Sequence, residues 1–174
     1  MISVKTYISN PSINRPGYVG YEHIEKYFLS IEDGQNRENI RNILECGERG
    51  GNIYGCILIT YGDRVIMDDE IIERFPLYWL IWVDLIGDYL TILPEETQKV
   101  SREPYFSLKK TDDSHIIFNY SDYYVSKVPE NEMLKSLLLA AKFFFQLYQE
   151  CSGDDVYLST CKKIDRLLPL VDNL

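Results

Sequence analysis

The segment from Leu77 to Leu90 is apolar around almost its whole circumference when it is read as a helix. Only Asp84 and Asp88 interrupt it, and because they are four residues apart they fall on one face. A helix of this kind belongs at the buried centre of a fold. Pro76 suits its first turn, where the missing N–H costs nothing. The two aspartates leave the segment short of a membrane span, so we expect one central hydrophobic helix.

Alternation with a period of two residues, bounded by turn residues, predicts the strands. Residues 2–8 alternate, whereas residues 52–60 are largely apolar on both faces and lead through a tight turn at residues 61–64 into a return strand at residues 65–67. Further strands are expected at residues 91–93, 105–109, 115–120 and 123–127, with a hairpin turn at residues 110–114.

The spacing of apolar residues, together with prolines and glycines, predicts the remaining helices. These helices cover residues 21–31, 37–46, 130–150 and 156–168, and Pro169 is expected to end the last one. Strands and helices do not alternate regularly, which is typical of an α+β architecture. We therefore predict a single domain over residues 1–174, in which an antiparallel sheet of about five to six strands packs with the helices.

Acidic charge is concentrated in one block of the chain. The whole sequence has 18 Lys and Arg against 27 Asp and Glu, a net charge of -9. Residues 51–134 hold 15 acidic and 7 basic side chains, so this block carries a net charge of -8. A field of one sign raises the rate of encounter with partners of the opposite sign. Lys109-Lys110 and Lys162-Lys163 are isolated pairs in this acidic background, which argues against direct binding to nucleic acid. The charge favours a basic protein partner.

Carboxylates and tyrosines in the acidic block are the candidates for a partner-binding surface. Carboxylates can occupy a basic cleft in place of phosphates, and tyrosine rings supply apolar contact area with a polar end. The candidate residues are Asp68, Asp69, Glu95, Glu96, Asp112, Asp113, Tyr120, Asp122, Tyr123 and Tyr124.

No sequence motif for catalysis, cofactor binding or metal binding accompanies this charge. Residues 47–51 lack the lysine and hydroxyl of a phosphate loop, and neither a Gly-x-Ser-x-Gly elbow nor an aspartate-rich calcium loop occurs. A site built around His23 or His115 from distant residues stays an alternative. The four cysteines form two Cys-x9-Cys pairs, a spacing too wide for zinc or redox motifs, and are expected to be reduced and packed as small hydrophobes. They are Cys46, Cys56, Cys151 and Cys161.

Two apolar residues fall on or beside the polar face of the helix expected at residues 130–150. Leu139 and Phe143 are four residues apart and share that face. Either another element, such as the C-terminal helix, covers them, or they form an exposed apolar contact.

Four segments carry a resemblance to a known family. They are Tyr78-Trp79-Leu80-Ile81-Trp82, Ile92-Leu93-Pro94-Glu95-Glu96, His115-Ile116-Ile117-Phe118 and Leu137-Leu138-Leu139-Ala140-Ala141-Lys142-Phe143-Phe144-Phe145. Their order resembles that of small immunity proteins of bacterial polymorphic-toxin and contact-dependent inhibition systems. The resemblance implies a cytoplasmic, non-enzymatic inhibitor that occupies or buries the active site of one cognate toxin, often a basic nuclease. The first residues contain no basic leader followed by an apolar run, which agrees with a cytoplasmic location.

Three other functions stay open at this stage. An acidic mimic of nucleic acid that inhibits a host or phage enzyme would share the same charge. A small enzyme would need His23 or His115 beside a carboxylate and a nucleophile. A structural subunit would associate with itself through Leu139 and Phe143, and the sequence leaves the oligomeric state open.

Overall fold

The computed structural model describes residues 1–13, 21–48, 53–68, 75–92, 96–99, 106–111, 113–120, 124–153 and 155–174, with the backbone alone for residues 21, 46–48, 92, 96–99 and 124. The strands are β1 Ile2–Ser9, β2 Phe28–Ser30, β3 Gly55–Tyr61, β4 Arg64–Met67, β5 Glu96–Lys99, β6 Phe106–Lys110, β7 His115–Tyr120 and β8 Tyr124–Pro129. The α-helices are α1 Ile24–Tyr27, α2 Arg37–Glu48, α3 Phe75–Ile92, α4 Glu130–Ser152 and α5 Leu158–Asp172. Short 3-10 turns at Tyr21–His23 and Gly34–Asn36 precede α1 and α2.

The first sheet is antiparallel and has the strand order β2-β1-β3-β4. Residues Gly55 to Ile59 of β3 are all buried, as the continuous apolar run predicts. Ile57 and Ile59 join the main core, whereas Cys56 and Leu58 face a smaller cluster on the opposite side of the sheet. Gly55 is required there, because a Cβ at this position would lie 2.6 Å from the Tyr7 carbonyl oxygen and 2.8 Å from the Phe75 ring.

The second sheet is an antiparallel meander in the order β5-β6-β7-β8. Exposure alternates along β7: Ile116, Phe118 and Tyr120 are buried, and the residues between them are half-buried. The inward side chains pack on α3, where the Trp82 ring stacks on Phe118 with centroids 5.1 Å apart. The outward residues of β6 to β8 include Lys109, Lys127 and Val125, all exposed.

Two long helices share the main core. Trp79, Trp82 and Ile86 of α3 are fully buried, and α4 contributes Leu134, Leu137, Phe144 and Phe145, among others. Gly153 ends α4 in the left-handed conformation, with φ of 73°, as a helix C-terminus favours.

The α+β class is confirmed, but the predicted sheet size is wrong. The strands in the described residues form two sheets of four rather than one sheet of about five to six. Buried positions are spread over α2, α3, α4 and α5, so a single central helix is not shown. The side of α3 that holds Leu77, Asp84 and Thr91 is exposed, which is why α3 alone does not form the centre.

Several element boundaries also differ from the predictions. The helix expected at residues 21–31 shortens to α1, because Phe28–Ser30 pairs with β1 instead. Residues 91 and 92 extend α3 rather than forming a strand, and Glu96–Lys99 is a strand that we did not predict. Pro169 lies inside α5, which continues to Asp172 because Val171 is buried and its carbonyl accepts a hydrogen bond from Asn131 Nδ2 at 2.9 Å.

Candidate functional site

The structure describes only part of the predicted partner-binding set. Five members lie outside the described residues: Asp69, Glu95, Asp112, Asp122 and Tyr123. Glu96 and Tyr124 belong to opposite edge strands of the second sheet, where the structure describes their backbone alone. Side-chain geometry is therefore available for Asp68, Asp113 and Tyr120.

Tyr120 and Asp68 are both buried. Tyr120 is directly opposite Phe106 and Tyr124 in the second sheet, and its ring centroid lies 5.1 Å from that of Phe106. The alternation of β7 turns Tyr120 to the same side as Phe118, toward the core. Asp68 follows β4 directly and is 6% exposed. Neither side chain is exposed, so neither offers the partner contact that we expected. For Tyr120 the sequence did contain a signal, because the two-residue period of the strand places it on the same face as Ile116 and Phe118.

Asp113 is exposed at the turn between β6 and β7, and its charge is matched by a lysine. Lys127 Nζ donates to Asp113 Oδ2 at 2.6 Å, and the Thr111 hydroxyl lies 2.6 Å from Oδ1. The hydrogen bonds from Lys127 and Thr111 lower the pKa of Asp113 to about 2. The carboxylate is therefore ionised at neutral pH, but Lys127 offsets its field toward an approaching partner.

His115 lies beside the same carboxylate. Its Nδ1 is 2.6 Å from the Asp113 carbonyl oxygen and 3.6 Å from Asp113 Oδ1. The Thr111 hydroxyl points to Asp113 Oδ1 and to the His115 carbonyl oxygen at 2.8 Å, rather than to the imidazole. A histidine-activated nucleophile would need the hydroxyl on the imidazole nitrogen, so these contacts are those of a hairpin turn. The other histidine, His23, is exposed immediately before α1.

A buried carboxylate links the end of this hairpin to two helices. Glu130 opens α4 and is 4% exposed. The Tyr89 hydroxyl donates to Glu130 Oε1 at 2.5 Å, and Lys110 Nζ lies 3.4 Å from the same oxygen. Burial, and then the hydrogen bond to Glu130, raise the pKa of Tyr89. A buried charge needs such partners, and these ones connect α3, β6 and α4.

Most described carboxylates from Asp84 onward are in ion pairs. Asp84 pairs with Lys163, and Glu130 with Lys110. Further along, α4 pairs with α5 through Lys142–Asp165 and Lys135–Asp172, both at 2.6 Å. The net charge of a sequence block therefore overstates the charge that its described residues present to a partner.

A second group of carboxylates, which we did not predict, lies before α2 and in its first turn. Its members are exposed, and none of them forms an ion pair with a residue in the described ranges: Glu22, Glu25, Glu32, Asp33 and Glu38. We call them the 22–38 carboxylates. The signal was present in the sequence, but averaging over residues 1–50, which hold 6 basic and 7 acidic side chains, concealed it.

Two of the 22–38 carboxylates converge on one buried tyrosine. The Tyr7 hydroxyl lies 3.5 Å from Glu25 Oε1. Burial, followed by the charges of Glu25 and Glu32, raises the pKa of Tyr7. Glu32 also accepts hydrogen bonds from the Thr6 amide and the Ser30 hydroxyl, which fixes its carboxylate at the edge of the first sheet. Two exposed negative charges thus act on the same buried tyrosine.

Other chemistry finds less support in the described part of the chain. Within those residues, no group of three or more His, Cys, Asp and Glu side chains is placed to hold a metal ion. Cys56, Cys151 and Cys161 are buried and reduced, as expected, and burial raises the pKa of Cys151 and Cys161. No described helix combines the length and the hydropathy of a membrane span.

Comparisons of the chain with protein-family models, with curated proteins and with solved structures found no match.

Proposed function

We propose that this chain is a non-catalytic binding protein that neutralises a cationic protein, as an immunity protein neutralises its cognate toxin. The observation that supports the proposal best is the group of 22–38 carboxylates, which are exposed and have no cation among the described residues. A basic nuclease is the partner class that fits, because its cleft must bind phosphates and can accept carboxylates instead.

Charge of this kind acts mainly on association. Exposed carboxylates attract a basic surface over roughly a Debye length, about 8–10 Å at physiological ionic strength. Glu25 and Glu32 both act on the Tyr7 hydroxyl, and Glu32 is also fixed by hydrogen bonds from the Thr6 amide and the Ser30 hydroxyl. Rigidly placed charges lose little conformational freedom on binding, which favours them as contacts for a lysine or arginine of the partner.

The predicted residues of the second sheet form a second contact area for the partner. Glu96 and Tyr124 lie on its two edge strands, and Asp113 lies at the turn between β6 and β7. The face of this sheet that points away from α3 includes Val125, which is 60% exposed, and half-buried Ile117. An exposed apolar residue surrounded by polar ones is a common core for a protein interface.

The test begins with co-purification of this chain with the protein encoded by the adjacent gene, followed by association kinetics at several salt concentrations. The double variant Glu25→Gln/Glu32→Gln keeps both hydrogen-bond acceptors and removes both charges. We expect it to lower the association rate by about threefold or more at low salt, and to weaken the salt dependence.

The matched control is Asp165→Asn/Asp172→Asn, which removes the same number of charges from the α4–α5 surface, where both are paired with lysines. This control should leave the association rate within about twofold of the wild type. Equal effects of the two double variants would mean that net charge alone matters, and would contradict a role for the 22–38 carboxylates.

A further inference from the structure

The exposed side of α4 has a regular pattern that the proposed function does not use. Half-exposed or exposed side chains recur at intervals of four, three, four, three and four residues, the a and d spacing of a coiled coil. They are Glu132, Ser136, Leu139, Phe143, Gln146 and Glu150. We call them the α4 seam. At its centre, Leu139 is 47% and Phe143 39% exposed.

Neighbouring elements close both sides of the α4 seam without covering it. On one side α5 is attached through Lys135–Asp172 and Lys142–Asp165. On the other side Arg37 of α2 binds Glu150, and the first residues of the chain bind Glu132. The C-terminal helix therefore packs on α4 and still leaves Leu139 and Phe143 accessible, which decides between the two alternatives that the sequence left open.

We infer that the α4 seam binds the α4 seam of a second copy of this chain, with the two helices antiparallel. A two-fold axis at the level of Ala141 brings Leu139 of one copy against Phe143 of the other. The same operation brings Ser136 against Gln146 and Glu132 against Glu150. The seam is thus self-complementary in layers: apolar at the centre, hydrogen-bonding next, and charged at both ends.

The charged ends support pairing rather than oppose it. Each carboxylate at the end of the seam already has its own cation: the N-terminal ammonium lies 3.5 Å from Glu132, and Arg37 binds Glu150. In the antiparallel arrangement two carboxylates therefore meet two cations, so each end is neutral and can form cross-copy ion pairs. A parallel arrangement would place Leu139 on Leu139 and Phe143 on Phe143, and its ends would hold the same cations, so the direction of the helices is decided by the cross-linking test below.

The length of the seam indicates a weak, reversible dimer. At about 1.5 Å per residue the seam is roughly 27 Å long, and a single helix pair of this length buries well below the ~1,200–2,000 Å² of a stable interface. We expect dissociation constants between about 10 μM and about 1 mM.

Sedimentation velocity across that concentration range measures the association. The wild type should shift from monomer to dimer, and Leu139→Asp should raise the dissociation constant by about tenfold or more, because it places a charge at the centre of the seam. Val125→Asp adds the same charge at a more exposed apolar residue on β8, and should leave the constant unchanged. A wild type that stays monomeric at about 1 mM overturns the inference.

Cross-linking between copies tests the direction of the helices. With Cys46 replaced by Ser in every protein, a mixture of Ser136→Cys and Gln146→Cys should form a disulfide-linked dimer under mild oxidation. Ser136→Cys alone should form much less, because ten residues separate positions 136 and 146 along the antiparallel axis, about 15 Å. Efficient linking of Ser136→Cys with itself, or equal linking in both samples, overturns the antiparallel arrangement.

Discussion

The two sheets differ in how many of their faces are buried. In the first sheet β3 contributes Ile57 and Ile59 to the main core, and Cys56 and Leu58 to a second cluster with Tyr7, Ile24 and Phe28. In the second sheet β7 alternates, so that only one face is in the core. A strand with a continuous apolar run is packed on both faces, whereas an alternating strand leaves one face for contact with solvent or a partner.

The largest expected loss of stability follows from a substitution on the buried face of β7. Phe118→Ala removes the ring that stacks on Trp82, and should lower the free energy of unfolding by about 3–5 kcal/mol. Ile117→Ala, on the adjacent half-buried position, should cost about 1 kcal/mol. Urea unfolding of both variants measures the contrast. Equal losses would mean that the outer face of the second sheet is also part of the core.

The same pair of measurements on β3 should give no such contrast. Ile57→Ala and Leu58→Ala point to opposite faces, yet both residues are buried. Each should therefore cost about 2–4 kcal/mol. A loss below about 1 kcal/mol for Leu58→Ala would show that the smaller cluster around Tyr7 does not stabilise the fold, and that the two sheets are more alike than their burial indicates.

The next effect concerns the buried junction between the second sheet and the helices. Tyr89→Phe removes the hydroxyl that donates to Glu130, and should lower the free energy of unfolding by about 1–3 kcal/mol at pH 7, because the buried carboxylate then depends on Lys110. Tyr61→Phe, at a half-exposed tyrosine in the first sheet, should change it by about 0.5 kcal/mol or less.

The pH dependence of that variant follows from the raised pKa of Tyr89. The folded state holds this proton more tightly than the unfolded state, so the contribution to stability is complete below about pH 10 and declines as the pH rises further. The wild type should therefore lose stability above pH 10 more steeply than Tyr89→Phe. The stability of both proteins is measured against pH by circular dichroism. Parallel curves above pH 10 would contradict the assignment of the raised pKa to Tyr89.

The local sequence pattern predicted the elements whose structure is determined by residues close to them in the sequence. Examples are α3 with Pro76 in its first turn, the strand β7, and the helix expected at residues 130–150, which is α4. The short strand β2 was missed because its extended conformation depends on pairing with β1, which places Ser30 opposite Tyr7. Pro169 was assigned as a helix end because no local signal shows that Val171 is buried.

The candidate surface was harder to predict than the fold. Whether a carboxylate presents charge to a partner depends on cations far away in sequence: Lys163 pairs with Asp84, and Asp172 with Lys135. The block average therefore favoured residues 51–134, whose described carboxylates are mostly paired, over the 22–38 carboxylates. Where charge lies in the sequence constrains the partner's sign, but only the fold decides which carboxylates are available to it.

The smallest expected effect is on the pKa of Asp113, at the exposed end of the second sheet. Its pKa of about 2 arises first from the hydrogen bond with Lys127. Lys127→Met should therefore raise the pKa of Asp113 toward its ordinary value of 3.8, as measured by NMR titration of the side-chain carboxyl. Lys135→Met removes a lysine that pairs with Asp172 instead, and should leave the pKa of Asp113 unchanged.

In the wild type the contribution of the Asp113–Lys127 pair to stability is complete above about pH 4 and is lost as the pH falls toward 2. Because both side chains of the pair are exposed to solvent, that loss should be small beside the effects on buried residues. An unchanged pKa in Lys127→Met would show that Asp113 is not matched by a lysine in solution. Its charge would then be available to a basic partner, and the second sheet would rank with the 22–38 carboxylates as a binding surface.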